Sequence, residues 1–107
     1  MTSRTLHVHV VQAAPHPRRI DENLDTAKHL LRESPGEIVV LPELFATGYQ
    51  TVELDDLAMD LHDPRLADLA SVCRETRTAL VIGFIERGDS AVFDSTLVID
   101  RTGEILP

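Results

Sequence analysis

Two stretches of this chain are apolar at consecutive positions: Val39-Val40-Leu41, and Val81-Ile82 followed after one glycine by Phe84-Ile85. A β-strand turns successive side chains to opposite faces, so runs without alternation suit strands buried on both sides. Such strands belong in the middle of a sheet that is covered above and below.

The rest of the pattern shows what cover is available. Residues 6–12 place Leu6, Val8 and Val10 on one face and His7, His9 and Val11 on the other, the two-residue period of a strand that stops at Ala13-Ala14-Pro15. Residues 19–33 carry Ile20, Leu24, Ala27, Leu30 and Leu31 at helical spacing, with Asp21 and Glu22 at the positive end of the helix dipole. Ser34-Pro35-Gly36 ends that helix, and residues 37–41 form the second strand, closed by Pro42. Residues 45–61 have weak periodicity and clustered acids and read as a long loop with one helical turn. Asp63-Pro64 is a helix start, an acceptor at the N-cap before proline, and Leu66, Leu69, Ala70 and Cys73 line one face of the helix that follows. Residues 79–86 and 91–100 read as an antiparallel pair joined by the turn 87–90, ending at Arg101-Thr102-Gly103-Glu104.

The order β-α-β-α-β-β implies an α/β sheet, and right-handed crossovers place both helices on the same face. A second layer is missing. The chain therefore reads as part of a larger fold, residues 1–107 being the N-terminal portion of one domain, with an apolar face too large for a soluble monomer to leave open.

Composition narrows the partners. Eighteen acidic residues against 10 basic ones give a formal charge of -8, which offers no positive face for a phosphate backbone and excludes nucleic acid. No apolar run is long enough to cross a bilayer, and the first 12 residues lack the core of a secretion signal, so a soluble cytoplasmic protein is expected. The single cysteine, Cys73, makes no internal disulfide, and scattered histidines give no zinc spacing. His7 and His9 share a strand face without a third ligand, and the acids of residues 53–63 lack the ligand pattern of a calcium loop, so no metal is expected.

The most informative segment is Val39-Val40-Leu41-Pro42-Glu43-Leu44-Phe45-Ala46-Thr47-Gly48-Tyr49. It puts a carboxylate at the carboxyl end of a buried strand, where open α/β sheets bind ligands. Proline fixes the approach to Glu43, and Leu44, Phe45 and the aliphatics before them would desolvate it and raise its pKa toward that of a general base. The plain alternative is a solvated glutamate after a strand. Phe45 and Tyr49 are candidates for the wall of a substrate pocket, core packing being the alternative for each.

With this segment on the page, the chain resembles the carbon-nitrogen hydrolase, or nitrilase, superfamily over essentially its whole length. Leu-His-Val-His-Val-Val-Gln-Ala-Ala-Pro resembles the family's first strand, Asp21-Glu22-Asn23-Leu24 the start of its first helix, and Val-Val-Leu-Pro-Glu-Leu-Phe-Ala-Thr-Gly-Tyr its catalytic-glutamate motif. Residues 81–86 and 93–99, then Thr102-Gly103-Glu104-Ile105, resemble the paired strands and turn before its catalytic lysine.

The resemblance implies part of a four-layer α-β-β-α sandwich and a Glu, Lys and Cys triad, often with a supporting second glutamate. Glu43 is then the catalytic base. The single lysine, Lys28, matches nothing in the lysine motif and reads as a solvated charge, and Cys73 reads as a small core residue. Lysine and nucleophile are thus expected from the remaining half of the fold, on the same or a second polypeptide. Asp94 stands where the family often has asparagine and receives no role. The implied function is hydrolysis of a small amide, N-carbamoyl compound or nitrile, without cofactor, in an enzyme that forms homo-oligomers. The isolated 107 residues are expected to be inactive. A noncatalytic assembly subunit derived from the same fold is the alternative. A receiver-like domain fits worse, since the first strand runs into Gln12-Ala13-Ala14-Pro15 rather than acids and the terminal hairpin breaks the alternation.

Overall fold

Five strands and two helices follow one another along the chain: β1 (Val8–Val10), α1 (Ile20–Glu33), β2 (Ile38–Val40), α2 (Pro64–Thr76), β3 (Ala79–Arg87), β4 (Val92–Ile99) and β5 (Ile105–Leu106). The structure, a computed structural model, describes residues 4–34 and 36–106. Residues 1–3, Pro35 and Pro107 lie outside the described residues, and with Pro35 the middle of the turn expected to end α1.

The strands form one sheet in chain order. β1, β2 and β3 are parallel, with Val39 in register between His9 and Leu80. β4 runs antiparallel to β3, from Leu80 opposite Ile99 to Arg87 opposite Val92, and β5 returns along β4. Sequential parallel neighbours joined by right-handed crossovers put α1 and α2 on one face, and the two helices pack against each other.

Burial divides the sheet accordingly. Val39, Leu80, Ile82, Phe84, Leu97 and Ile99 share the helix side and are buried with Leu24, Ala27 and Leu31 of α1 and Leu66, Leu69 and Cys73 of α2. The opposite face carries Val8, Val10, Val40, Val81, Val98 and Leu106 by the same register. There Val8 is 49%, Val10 65% and Leu106 40% exposed. This face is therefore open at the edge strands β1 and β5 and half-buried at Val40, Val81 and Val98, while Gly83 and Ile85 on it are buried.

Element bounds differ from the sequence reading mainly at the edges. β1 spans only three residues because its sole partner, β2, is equally short. β5 is a strand where the sequence showed only a turn, two residues being too few to display a period. The turn before it is built by Asp100, whose Oδ1 accepts from the Thr102 and Glu104 amides at 2.8 and 3.0 Å. Residues 45–61 form a long loop with one 3₁₀ turn, Leu54–Asp56, and Phe45, Ala46, Leu57 and Met59 within it are core residues. Met59 borrows strand bonds from β3, donating to the Ile85 carbonyl and accepting from the Arg87 amide, both at 2.9 Å.

Helix α2 starts where Asp63-Pro64 placed it. Asp63 accepts from the Arg65 amide at 2.9 Å and pairs with the Arg65 guanidinium at 2.9 Å. The Arg65 side chain holds the Asp63 carboxyl below the usual carboxylate range. Asp63→Ala should cost about 1 kcal/mol, a typical N-cap loss, read as a lower unfolding midpoint of the natively purified protein. Because the folded-state pKa is depressed, that contribution is complete above the unfolded Asp pKa and disappears as pH falls through the folded one, so wild type and variant should converge in acid.

Candidate active site

At the end of β2 the Leu41 amide still bonds the Val81 carbonyl, at 2.9 Å, and Pro42 then withholds a donor and the chain leaves the ladder. Residues 42–48 fold into a tight double turn: the Phe45 amide donates to the Pro42 carbonyl at 3.2 Å, and the Thr47 and Gly48 amides to Leu44 at 3.1 and 2.8 Å. Leu44 holds φ 53°, a left-handed conformation that costs a non-glycine residue about 1–2 kcal/mol. Strain of this kind persists where surroundings over-determine the backbone.

Two neighbours do so here. The turn crosses the open face of β3 at Gly83, where a Cβ would stand 2.2 Å from the Leu44 amide nitrogen and 3.0 Å from the Glu43 carbonyl carbon. Only glycine admits that approach, and the Ala46 amide then bonds the Gly83 carbonyl at 3.1 Å. From the other side Asn23 of α1, 1% exposed, donates to the carbonyls of Ala46 and His16 at 3.0 and 2.8 Å and accepts from the His16 amide at 2.7 Å. One amide side chain thus ties α1, the segment before it and the turn into one unit.

Glu43 projects from this clamped turn into solvent. Its carboxyl group meets that of Asp94, which lies on the same open face, opposite Ile85. The hydrogen bond that protonated Glu43 donates to Asp94, then the negative charge of Asp94, and last desolvation raise the Glu43 pKa above the ordinary carboxylate value. The sequence reading assigned such a rise to aliphatic neighbours; the neighbouring carboxylate is the larger cause. A shallow pocket of about 80 Å³ beside Asp94 is walled by Leu44, Ile85, Val92 and Phe93.

The other residues singled out in the sequence lie elsewhere. Phe45 is 1% exposed in the core beneath the turn, and Tyr49 is 77% exposed. Cys73 is fully buried on the helix side of the sheet, where desolvation pushes its thiol up to about 12, so it is neither ionised at neutral pH nor near Glu43. Lys28 is a surface charge whose ammonium lies 3.8 Å from the exposed Asp25 and 3.9 Å from the exposed Asp68, between the two helices. His9 bonds Ser34 at 3.3 Å, and among the described residues no three potential metal ligands cluster. Asn23, Gly83 and Asp94 are the residues that sequence reasoning left without a role. Of these only Gly83 carried a signal, since a lone glycine inside a strand pattern marks close backbone approach.

A clamped turn thus presents the exposed Glu43 beside Asp94 at the carboxyl end of a parallel strand. A family model described as carbon-nitrogen hydrolase matches residues 7–107, and the chain belongs to that family. A nitrilase of Pyrococcus abyssi is 30% identical over 102 residues, covering 89% of this chain and 39% of the relative. A 2-oxoglutaramate amidase of Bacillus subtilis is 30% identical over 90 residues, covering 79% and 34%. Among solved structures, an amidase from Nesterenkonia sp. superposes with a TM-score of 0.74 at 22% identity over 98% of this chain and 43% of that one. An N-terminal amidase in complex with an Asn-Glu-Ala peptide gives 0.78 at 20% identity, covering 94% and 26%. The chain thus spans about two fifths or less of the curated relatives cited, and its sheet with two helices is one α-β part of the α-β-β-α sandwich.

The clamp makes a direct prediction. Asn23→Ala leaves the buried Ala46 carbonyl and His16 amide without their partner, at a cost of roughly 1–3 kcal/mol, so the unfolding midpoint should fall. Gly83→Ala should displace the turn itself, seen as altered amide exchange at residues 43–48.

Proposed function

We propose that Glu43 is the general base of an enzyme that hydrolyses a non-peptide carbon-nitrogen bond in a small amide, N-carbamoyl compound or nitrile. The observation that carries this reading is the clamped turn that presents Glu43, with a raised pKa, over the open face of the sheet. Membership of the carbon-nitrogen hydrolase family supplies the reaction class.

In this reading the rest of the fold covers the open face and brings a lysine and a cysteine to Glu43. Glu43 takes the thiol proton as sulfur attacks the amide or nitrile carbon, and the lysine stabilises the developing negative charge. With an amide the proton returns to the leaving nitrogen, ammonia or amine departs and a thioester remains; with a nitrile the proton goes to the nitrogen of a thioimidate, which takes up one water before ammonia departs and the thioester remains. Water that Glu43 deprotonates then cleaves the thioester to the acid and restores the thiol. The exposed Tyr49 is a candidate wall of the substrate pocket, while Phe45 supports the turn from the core. The pocket of about 80 Å³ beside Asp94 is far below the roughly 300–1,000 Å³ of a ligand site, so in this reading the covering layer forms the substrate cavity and this pocket does not. Residues 1–107 are then the N-terminal portion of one such domain, inactive alone. The buried, unpaired Cys73 suits a reducing, cytoplasmic setting, and homo-oligomers are expected from the resemblance.

Glu43→Gln in the natively purified protein tests the assignment: turnover should fall by about 10²-fold or more, with the unfolding midpoint nearly unchanged because the side chain is exposed. Unchanged turnover would make Glu43 an ordinary surface residue and leave the chain as an assembly subunit of the same fold.

A further inference from the structure

The Glu43 carboxyl group has one close charged neighbour, Asp94, and the proposed mechanism gives that neighbour nothing to do. The geometry brings the two together by independent routes. The Glu43 main chain is pinned over the open face of β3 at Gly83. Asp94 is opposite Ile85, two residues further along the same strand and therefore on the same face. Leu44 and Asp94 wall the same pocket. The main chain at Glu43 and the strand position of Asp94 are thus held against neighbouring residues of one face.

Other charged groups nearby are turned away or engaged. Glu86 lies on the helix side of β3 and accepts from the Ser95 hydroxyl at 2.7 Å. Arg87 donates to the Asp55 carbonyl, Glu53 lies 3.7 Å from Arg18, and Tyr49 stands out in solvent. No cation among them offsets the meeting of two carboxylates.

We propose that Asp94 is the positioning residue of this site, its carboxylate standing beside that of Glu43, fixing the orientation of the base and strengthening it as a proton acceptor. The proposal rests on Glu43 being the base. Two negative charges this close disfavour each other, so Glu43 accepts a proton more readily beside Asp94 than it would alone. The direction of the Glu43 shift, upward and chiefly through Asp94, agrees. When Glu43 takes the proton of the attacking group, the Asp94 anion accepts a hydrogen bond from the newly formed carboxylic acid and stabilises that state. Asp94 touches neither nucleophile nor substrate in this scheme. Its loss should weaken the base without weakening binding.

Asp94→Asn keeps the shape and removes the charge. In the natively purified protein we expect a lower kcat with KM unchanged, and an acidic limb of the kcat/KM profile displaced to lower pH; Asp94→Glu should restore part of both. An acidic limb that coincides with that of wild type would overturn the proposal. A second readout needs no substrate: the Glu43 side-chain carboxyl carbon, followed by NMR titration, should move its midpoint to lower pH in Asp94→Asn, and an unmoved midpoint would likewise overturn it. The two readings separate cleanly. Retained turnover in Glu43→Gln removes the catalytic base and this proposal's role for Asp94 with it, whereas a dead Glu43→Gln beside an unshifted Asp94→Asn removes the role of Asp94 alone.

Discussion

β2 and β3 are parallel neighbours, and parallel strands with apolar residues at consecutive positions are stable only between two layers. Much of this molecule follows from that requirement and from its being met on one side. α1 and α2 supply the first layer, and Val39, Leu80 and Ile99 beneath them are wholly buried. On the other side Val8, Val10 and Leu106 remain substantially exposed, while residues 42–48 fold back over the end of β3 and cover Gly83 and Ile85. That partial cover carries Glu43. The catalytic candidate therefore stands at the border between the finished and the open part of the sheet, where a second layer would meet it.

The placement of the reactive groups agrees with a divided centre. Glu43 and Asp94 lie on the open face; Cys73 and Lys28 lie with the helices on the other. A sheet thickness separates them, and the buried Cys73 thiol is held protonated. In the proposed mechanism the nucleophile therefore reaches Glu43 from the open side. The clamp explains how Glu43 is kept ready for it: Gly83 allows the main chain to approach, Asn23 satisfies the buried polar atoms of the turn, and Leu44 accepts a left-handed conformation between them.

Much of this was legible in the sequence. The strand and helix order, the Asp63-Pro64 helix start and the open apolar face followed from periodicity and capping, because each is set by residues close in the chain. The buried nature of residues 44–48, the bracket made by Asn23 and the meeting of Glu43 with Asp94 were not. Each joins positions between about 23 and 51 residues apart, and one sequence carries no signal for such pairs beyond a lone glycine in a strand. The pairing of Lys28 with Asp68 was hidden for the same reason, since Asp68 lies on the other helix. The cause of the raised Glu43 pKa was misjudged, since composition around the motif pointed to desolvation while the fold supplied a carboxylate.

The central claim is that this sheet acts with a second layer that covers its open face and completes the site. Intact masses of the natively purified protein under denaturing conditions test it most directly. The account predicts that the 11.9 kDa sequence appears within a longer chain or together with a second polypeptide that supplies the lysine and the cysteine. A lone, soluble, monodisperse species of that mass would contradict it.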